Sequence, residues 1–170
     1  MSTAIHEVRL PLTGGCVCGQ LRYDLTGAPL LAYACHCHNC QKRSGSAYAL
    51  TVVIRRADLR VMGVVDAQRA HDLSGRELEH SFCPKCRGRV WVHAIAAPDY
   101  ASLRAGTFDD TGWIVPIAQA WVESALPWAV MPGVKVAPPE GLDFYALGEE
   151  WRASAPRFVA EEASAPIRSA

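Results

Sequence analysis

Cys35-His36-Cys37-His38-Asn39-Cys40-Gln41-Lys42 sets five potential metal ligands within six consecutive positions, three of them thiols. In extended backbone side chains alternate faces, so Cys35 and Cys37 point one way while His36 and His38 point the other. A turn after His38 swings Cys40 back towards the first two sulfurs. Three converging thiolates suit Zn²⁺, which takes cysteine sulfur at about 2.3 Å in tetrahedral geometry and then needs a fourth ligand. The source of that ligand decides what the stretch does.

Working outward, the chain holds seven cysteines in close clusters. The odd number and short spacings argue against a disulfide framework and for reduced metal ligands. Cys16 and Cys18 form a Cys-x-Cys pair in Gly14-Gly15-Cys16-Val17-Cys18-Gly19, expected to be a Gly-rich turn. Cys83 and Cys86 form a Cys-x-x-Cys knuckle before Arg87 and Gly88. A redox Cys-x-x-Cys belongs at a strand-to-helix junction, whereas strand patterns flank this one on both sides, which favours a zinc knuckle. Two plus two ligands make a closed structural site and leave Cys35, Cys37 and Cys40 as a three-thiolate site with an open position. The arithmetic does not force this division, because His36, His38, His71, His80 or His93 would also complete the second site.

Composition narrows the classes. The 170 residues suit one domain, and 17 Lys plus Arg balance 17 Asp plus Glu. That balance removes the positive field that nucleic-acid partners need. Met1 to Pro11 shows no secretory pattern and no long apolar run spans a membrane, so a cytoplasmic protein is expected. Residues 1–150 are expected to form the domain. The Ala-, Ser-, Pro- and Glu-rich 151–170 are expected to be a poorly ordered or weakly helical tail.

The periodicity is that of a mainly β protein. Leu21, Tyr23 and Leu25 alternate with Gln20, Arg22 and Asp24 as in a half-buried strand. The near-continuous apolar Ala47 to Ile54 predicts a central strand. Further short strands are expected at His6 to Leu10, Leu30 to Ala34, Leu59 to Met62, Ala67 to His71, Glu77 to Phe82, Arg89 to Ala94, Ser102 to Gly106 and Ile117 to Val122. Asn39 is the expected cap of one helical turn through Arg43. His80, on the apolar side of its strand, reads as a core residue. Beyond Trp121 the prolines Pro127, Pro132, Pro138 and Pro139 predict irregular chain anchored by Trp128, Phe144 and Tyr145.

The three-part cysteine signature, with Arg22-Tyr23, Ser44-Gly45-Ser46, Gly88, Ala105-Gly106-Thr107-Phe108-Asp109-Asp110 and Trp121 through Pro127-Trp128, resembles the glutathione-dependent formaldehyde-activating enzyme family. These pieces cover most of residues 14–145 in family order. The resemblance implies a mainly β, Mss4-like β-tent of short antiparallel strands with zinc knuckles. It also implies two Zn²⁺ per chain, a structural one on Cys16, Cys18, Cys83 and Cys86 and a catalytic one on Cys35, Cys37 and Cys40. The implied activity is that of a carbon-sulfur lyase, joining or releasing glutathione and formaldehyde as S-hydroxymethylglutathione. Lys42 and Arg43, directly after the third cysteine, are candidates for pairing with substrate carboxylates, and Tyr48 is a candidate for lining the same pocket. A zinc-stapled protein-interaction module on the same fold is the competing reading, since fold alone does not settle function. Two positions depart from the family pattern: Arg87 stands where Gly is usual, and Gln119 where a His usually precedes the tryptophan.

Overall fold

Leu21, Tyr23 and Leu25 are each completely buried, which is what their alternation demands and is worth about 1.5–3 kcal/mol per fully buried large side chain. The computed structural model describes residues 7–138 and 142–160. Strands β1 (Glu7–Leu10), β2 (Leu12–Gly15), β3 (Arg22–Leu25) and β4 (Leu31–Cys35) lead into the short helix α1 (His38–Ser44). Next come β5 (Ala49–Arg55), β6 (Leu59–Met62), β7 (Asp66–His71), β8 (Glu77–Phe82), β9 (Arg89–Ala94) and β10 (Tyr100–Arg104). The chain continues through β11 (Ala118–Ala120), β12 (Lys135–Val136), helix α2 (Phe144–Ser154) and β13 (Arg157–Ala160). The expected mainly β class is thus observed, and no helix among the described residues is long and apolar enough to cross a membrane.

Eight strands form one mixed sheet in the order β12-β11-β4-β5-β10-β9-β8-β7, and β2-β3-β6 form a second. The apolar run predicted to be central is β5, lying between β4 and β10 in the interior of the large sheet. Gly14 and Gly15 lie in β2 rather than in a turn. A Cβ on Gly14 would sit 2.3 Å from the Tyr23 hydroxyl, and one on Gly15 would sit 2.3 Å from the Leu21 carbonyl. Close packing of the hairpin therefore requires glycine at both. The turn itself spans Cys16 to Gly19, closed by the Gly19 N–H donating to the Cys16 carbonyl at 3.0 Å. Arg22 and Asp109 form an ion pair across this edge, and Thr13 donates to the same carboxylate at 2.6 Å.

The C-terminal part departs from expectation. Trp128 and Tyr145 are largely exposed and anchor nothing. The anchors are Leu147 and Trp151 of α2, four residues apart on one helical face and both buried. Asp143 caps this helix by accepting from the N–H groups of Tyr145 and Ala146 at 3.1 and 3.0 Å. Residue 150, the expected domain limit, falls inside α2, and β13 pairs in parallel with β1. An aromatic chain joins the two ends of the sequence. Tyr23 meets Phe108 edge-on at 5.5 Å, Phe108 meets Trp113 at 5.3 Å, Trp113 meets Phe158 at 5.4 Å, and Phe158 stacks on Trp151 at 5.9 Å. His6, Pro139 and the tail from 161 lie outside the described residues.

Trp151→Ala is expected to cost about 3–5 kcal/mol by denaturant unfolding, the usual range for deleting a buried tryptophan. A chain ending at residue 150 loses this side chain together with β13, so its melting temperature should fall at least as far.

Candidate metal centre

Two turns distant in sequence deliver the first set of sulfurs. Cys16 and Cys18 come from the β2–β3 turn and Cys83 and Cys86 from the β8–β9 knuckle, with all four sulfurs within 4.8 Å of one another. The Cys16–Cys18 and Cys18–Cys83 sulfur separations are 3.5 and 3.7 Å. A tetrahedral zinc with about 2.3 Å bonds places its sulfurs about 3.8 Å apart, so this set fits a zinc. The Leu21 N–H donates to the Cys16 sulfur at 3.2 Å. Burial pushes the Cys16 thiol up, but that bond and the neighbouring thiols outweigh it and bring its pKa down to about 6.

The knuckle closes despite Arg87. Its N–H donates to the Cys83 carbonyl at 2.9 Å while its own backbone takes the left-handed conformation, φ 59°. That conformation costs a non-glycine residue on the order of 1 kcal/mol. The Arg87 guanidinium pairs with Asp66 and lies 5.6 Å over the Phe82 ring, contacts of a size that offsets the strain.

The second set sits where β4 runs into α1. Cys35 ends the strand, Cys37 is the N-cap, and Cys40 lies in the first turn. The cap is therefore Cys37 rather than Asn39, its sulfur accepting from the Cys40 N–H at 3.4 Å. Gly45 ends the helix at φ 64°, and the bend of the chain brings the three sulfurs within 4.8 Å of one another. Three thiolates this close repel one another. Hydrogen bonds from Cys35 and Cys40 hold Cys37 far below the ordinary thiol range, and the same contacts push Cys35 far above it. A cation at their centre is what lets all three ionise together, which is the donor chemistry of a zinc site.

Among the described residues no histidine joins either set. His36 is fully buried on the opposite face, its ring 5.2 Å from Tyr48, and burial lowers its pKa. Tyr48 belongs to this packing rather than to the cavity. His38 is exposed, and His93 lies 3.9 Å from Glu79. Gln119 is also completely buried. Its amide donates to the carbonyls of Met131 and Val134 at 2.9 and 3.2 Å, and its oxygen accepts from the Met131 N–H at 2.8 Å. It fastens the chain after Trp121 and does not line the cavity.

The Cys35, Cys37 and Cys40 set borders a cavity of about 340 Å³. Arg43 lines it, whereas Lys42 is exposed outside it. Sequence reasoning did not find Arg89 and Arg104, which also line it, and His80, read from the sequence as a core residue, lines it as well. Arg104 follows from register: Tyr33, Thr51 and Arg104 are successive partners across β4, β5 and β10 and share a sheet face with Cys35. Arg89 reaches the face through a β-bulge. The β8–β9 register passes from Ser81 opposite Trp91 to Phe82 opposite Arg89, skipping Val90. Strict alternation from Val92 would aim Arg89 the other way. Burial, then Arg43, Arg89 and Arg104, depress the His80 pKa to about 4, so its imidazole is neutral at pH 7. Trp121, at φ 58°, completes one wall.

Residues 11–124 match the family model described as glutathione-dependent formaldehyde-activating enzyme. No curated protein matches the chain. A solved structure from Rhodobacter sphaeroides, a structural-genomics target, is 21% identical over 58% of this chain and 88% of its own, with a TM-score of 0.44.

Elemental analysis of purified protein is expected to give two zinc ions per chain. Cys83→Ser should lose one ion and melt far lower, because structural metal binding is folding free energy. Cys40→Ser should lose the other with little change in melting. Equal melting losses for the two variants would merge the sets into one structural unit.

Proposed function

Because the chain belongs to the glutathione-dependent formaldehyde-activating enzyme family, we propose that it is a zinc-dependent carbon-sulfur lyase, forming or cleaving the adduct of a glutathione-like thiol and a small, formaldehyde-like aldehyde. The observation that carries this reading is the separation of duties among the cysteines. Four sulfurs bring together two sheets and none of them lines this cavity, while the other three border it. A purely structural zinc has no need of that second arrangement. The same separation favours the lyase over a zinc-stapled interaction module.

Zinc bound by Cys35, Cys37 and Cys40 would supply a substrate thiolate at neutral pH, since a thiol that ligates zinc is deprotonated. The chain's own residues do the rest. Arg43, in the last turn of α1, adds positive charge beside a cluster whose loaded state is anionic. Neutral His80 offers a hydrogen-bond partner for a thiol or hydroxyl without adding charge. The alkoxide that forms when the thiolate attacks the carbonyl carbon needs a donor, and guanidinium N–H groups are present at the cavity wall. The proton released by the thiol ends on that oxygen, giving the hydroxymethyl thioether, and the reverse path returns it. Reduced cysteine clusters fit a cytoplasmic setting.

Mixing the protein with glutathione and formaldehyde should speed adduct formation, followed by NMR or by loss of free thiol. Cys40→Ser should drop to the uncatalysed rate while remaining folded. Wild-type protein no faster than the uncatalysed mixture would overturn the lyase reading.

A further inference from the structure

The cavity beside Cys35, Cys37 and Cys40 carries more positive charge than its cysteines need. One Zn²⁺ with three thiolates has a net charge of minus one. Arg43, Arg89 and Arg104 set three positive charges around it, and among the described residues none of the three pairs with a carboxylate. The one acidic residue of the lining, Asp72, is held by Arg76 at 2.7 Å. A substrate thiolate at the open position would consume one more charge and still leave an excess.

Two of the three arginines are half-buried and poorly matched by the protein itself. Arg104 donates from Nη1 to the Thr51 hydroxyl at 3.2 Å, while its Nε is buried with no hydrogen-bond partner. The contact of Arg89 is neutral: Nη1 lies 3.4 Å from His80 Nδ1. Leaving a buried donor without an acceptor costs about 1–3 kcal/mol, more for a charged group, and two guanidiniums on neighbouring strands also repel. Arg89 reaches this place only through the bulge at Val90, which leaves Val90 buried in the core and re-aims the Arg89 side chain.

We infer that Arg89 and Arg104, with Thr51 and His80 beside them, form a carboxylate-binding subsite that fixes the substrate's orientation relative to the cysteine cluster. The planar fork of a guanidinium matches a carboxylate, and two forks side by side would satisfy the donors the protein leaves open. The carboxylate belongs either to the thiol, as in a glutathione-like peptide, or to the carbonyl partner, as in a 2-oxo acid aldehyde. The inference rests on the lyase reading for the reaction, but the binding it asserts is independent of turnover.

Calorimetric titration separates these possibilities. S-methylglutathione keeps both peptide carboxylates and has no thiol to ionise, while glyoxylate places the carboxylate on the carbonyl partner. Wild-type protein should bind one of the two, and which one identifies the source. Arg89→Gln and Arg104→Gln should each weaken that binding about tenfold or more, as loss of a charge-assisted hydrogen bond does. Their zinc content should stay at the wild-type level. Arg104→Lys should recover part of the affinity, and Arg43→Gln, an exposed change that leaves the sheet alone, should weaken it less than either. Binding of neither probe, or glutamine variants that bind as well as wild type, would overturn the subsite. Glutamine variants that lose zinc while their anion binding is unchanged would also overturn it, by making the arginines counterions of the cluster alone. Arginine-dependent binding without any adduct formation would sustain the subsite and sink the lyase reading.

Discussion

Four sulfurs from two turns, with Cys18 and Cys83 separated by 65 positions, meet at 3.5–3.7 Å contacts, and the relation between the two sheets depends on that meeting. The β2-β3-β6 sheet is small, and two- or three-stranded units of this size hold together only when packed or tied to something larger. The cysteine set ties it to the β8–β9 end of the eight-stranded sheet. Once that end is fixed, the register from β9 through β10 and β5 to β4 carries the position of Cys35, and so of the second cluster, across the whole sheet. The distance between the two sulfur sets is thereby spanned by the backbone hydrogen bonds of the sheet.

Much of this was legible in the chain itself because it rests on local rules. Alternation placed β3, and β6, β8 and β9 fall where the pattern of apolar residues puts them. Short cysteine spacings marked both ligand sets, since a metal knuckle is a local object. Strand alternation also separated His36 from the sulfurs on either side of it, and the imidazole stays out of their cluster.

What stayed hidden depends on register or on competition between signals. Arg104 becomes a cavity residue only through its pairing with Thr51, a relation between positions 53 residues apart. Arg89 requires a bulge, and nothing in Arg89-Val90-Trp91-Val92 announces which residue the partner strand will skip. Helix α2 was masked by the prolines that precede it, although Asp143 followed by Leu147 and Trp151 has the cap and the four-residue spacing of a helix. Gln119 shows a different limit. Its burial and its bonds to Met131 and Val134 belong to packing after the site, so the residue standing where a His is usual fastens the chain.

The family match ends at residue 124, yet the cavity wall does not. Leu142 and Phe144 line it from the C-terminal segment, and Phe144 meets Tyr33 edge-on at 5.8 Å. A neighbouring apolar cavity of about 600 Å³ shares Tyr33, Arg76, Leu78, Val92 and Phe144 with the first, so these five residues form the partition between the two spaces. One side of that partition is thus supplied by a part of the chain that neither carries a cysteine nor belongs to the matched stretch. Substitution of Phe144 would alter this wall without touching a cysteine. The cysteine framework and this part of the cavity wall thus come from separate segments of one chain.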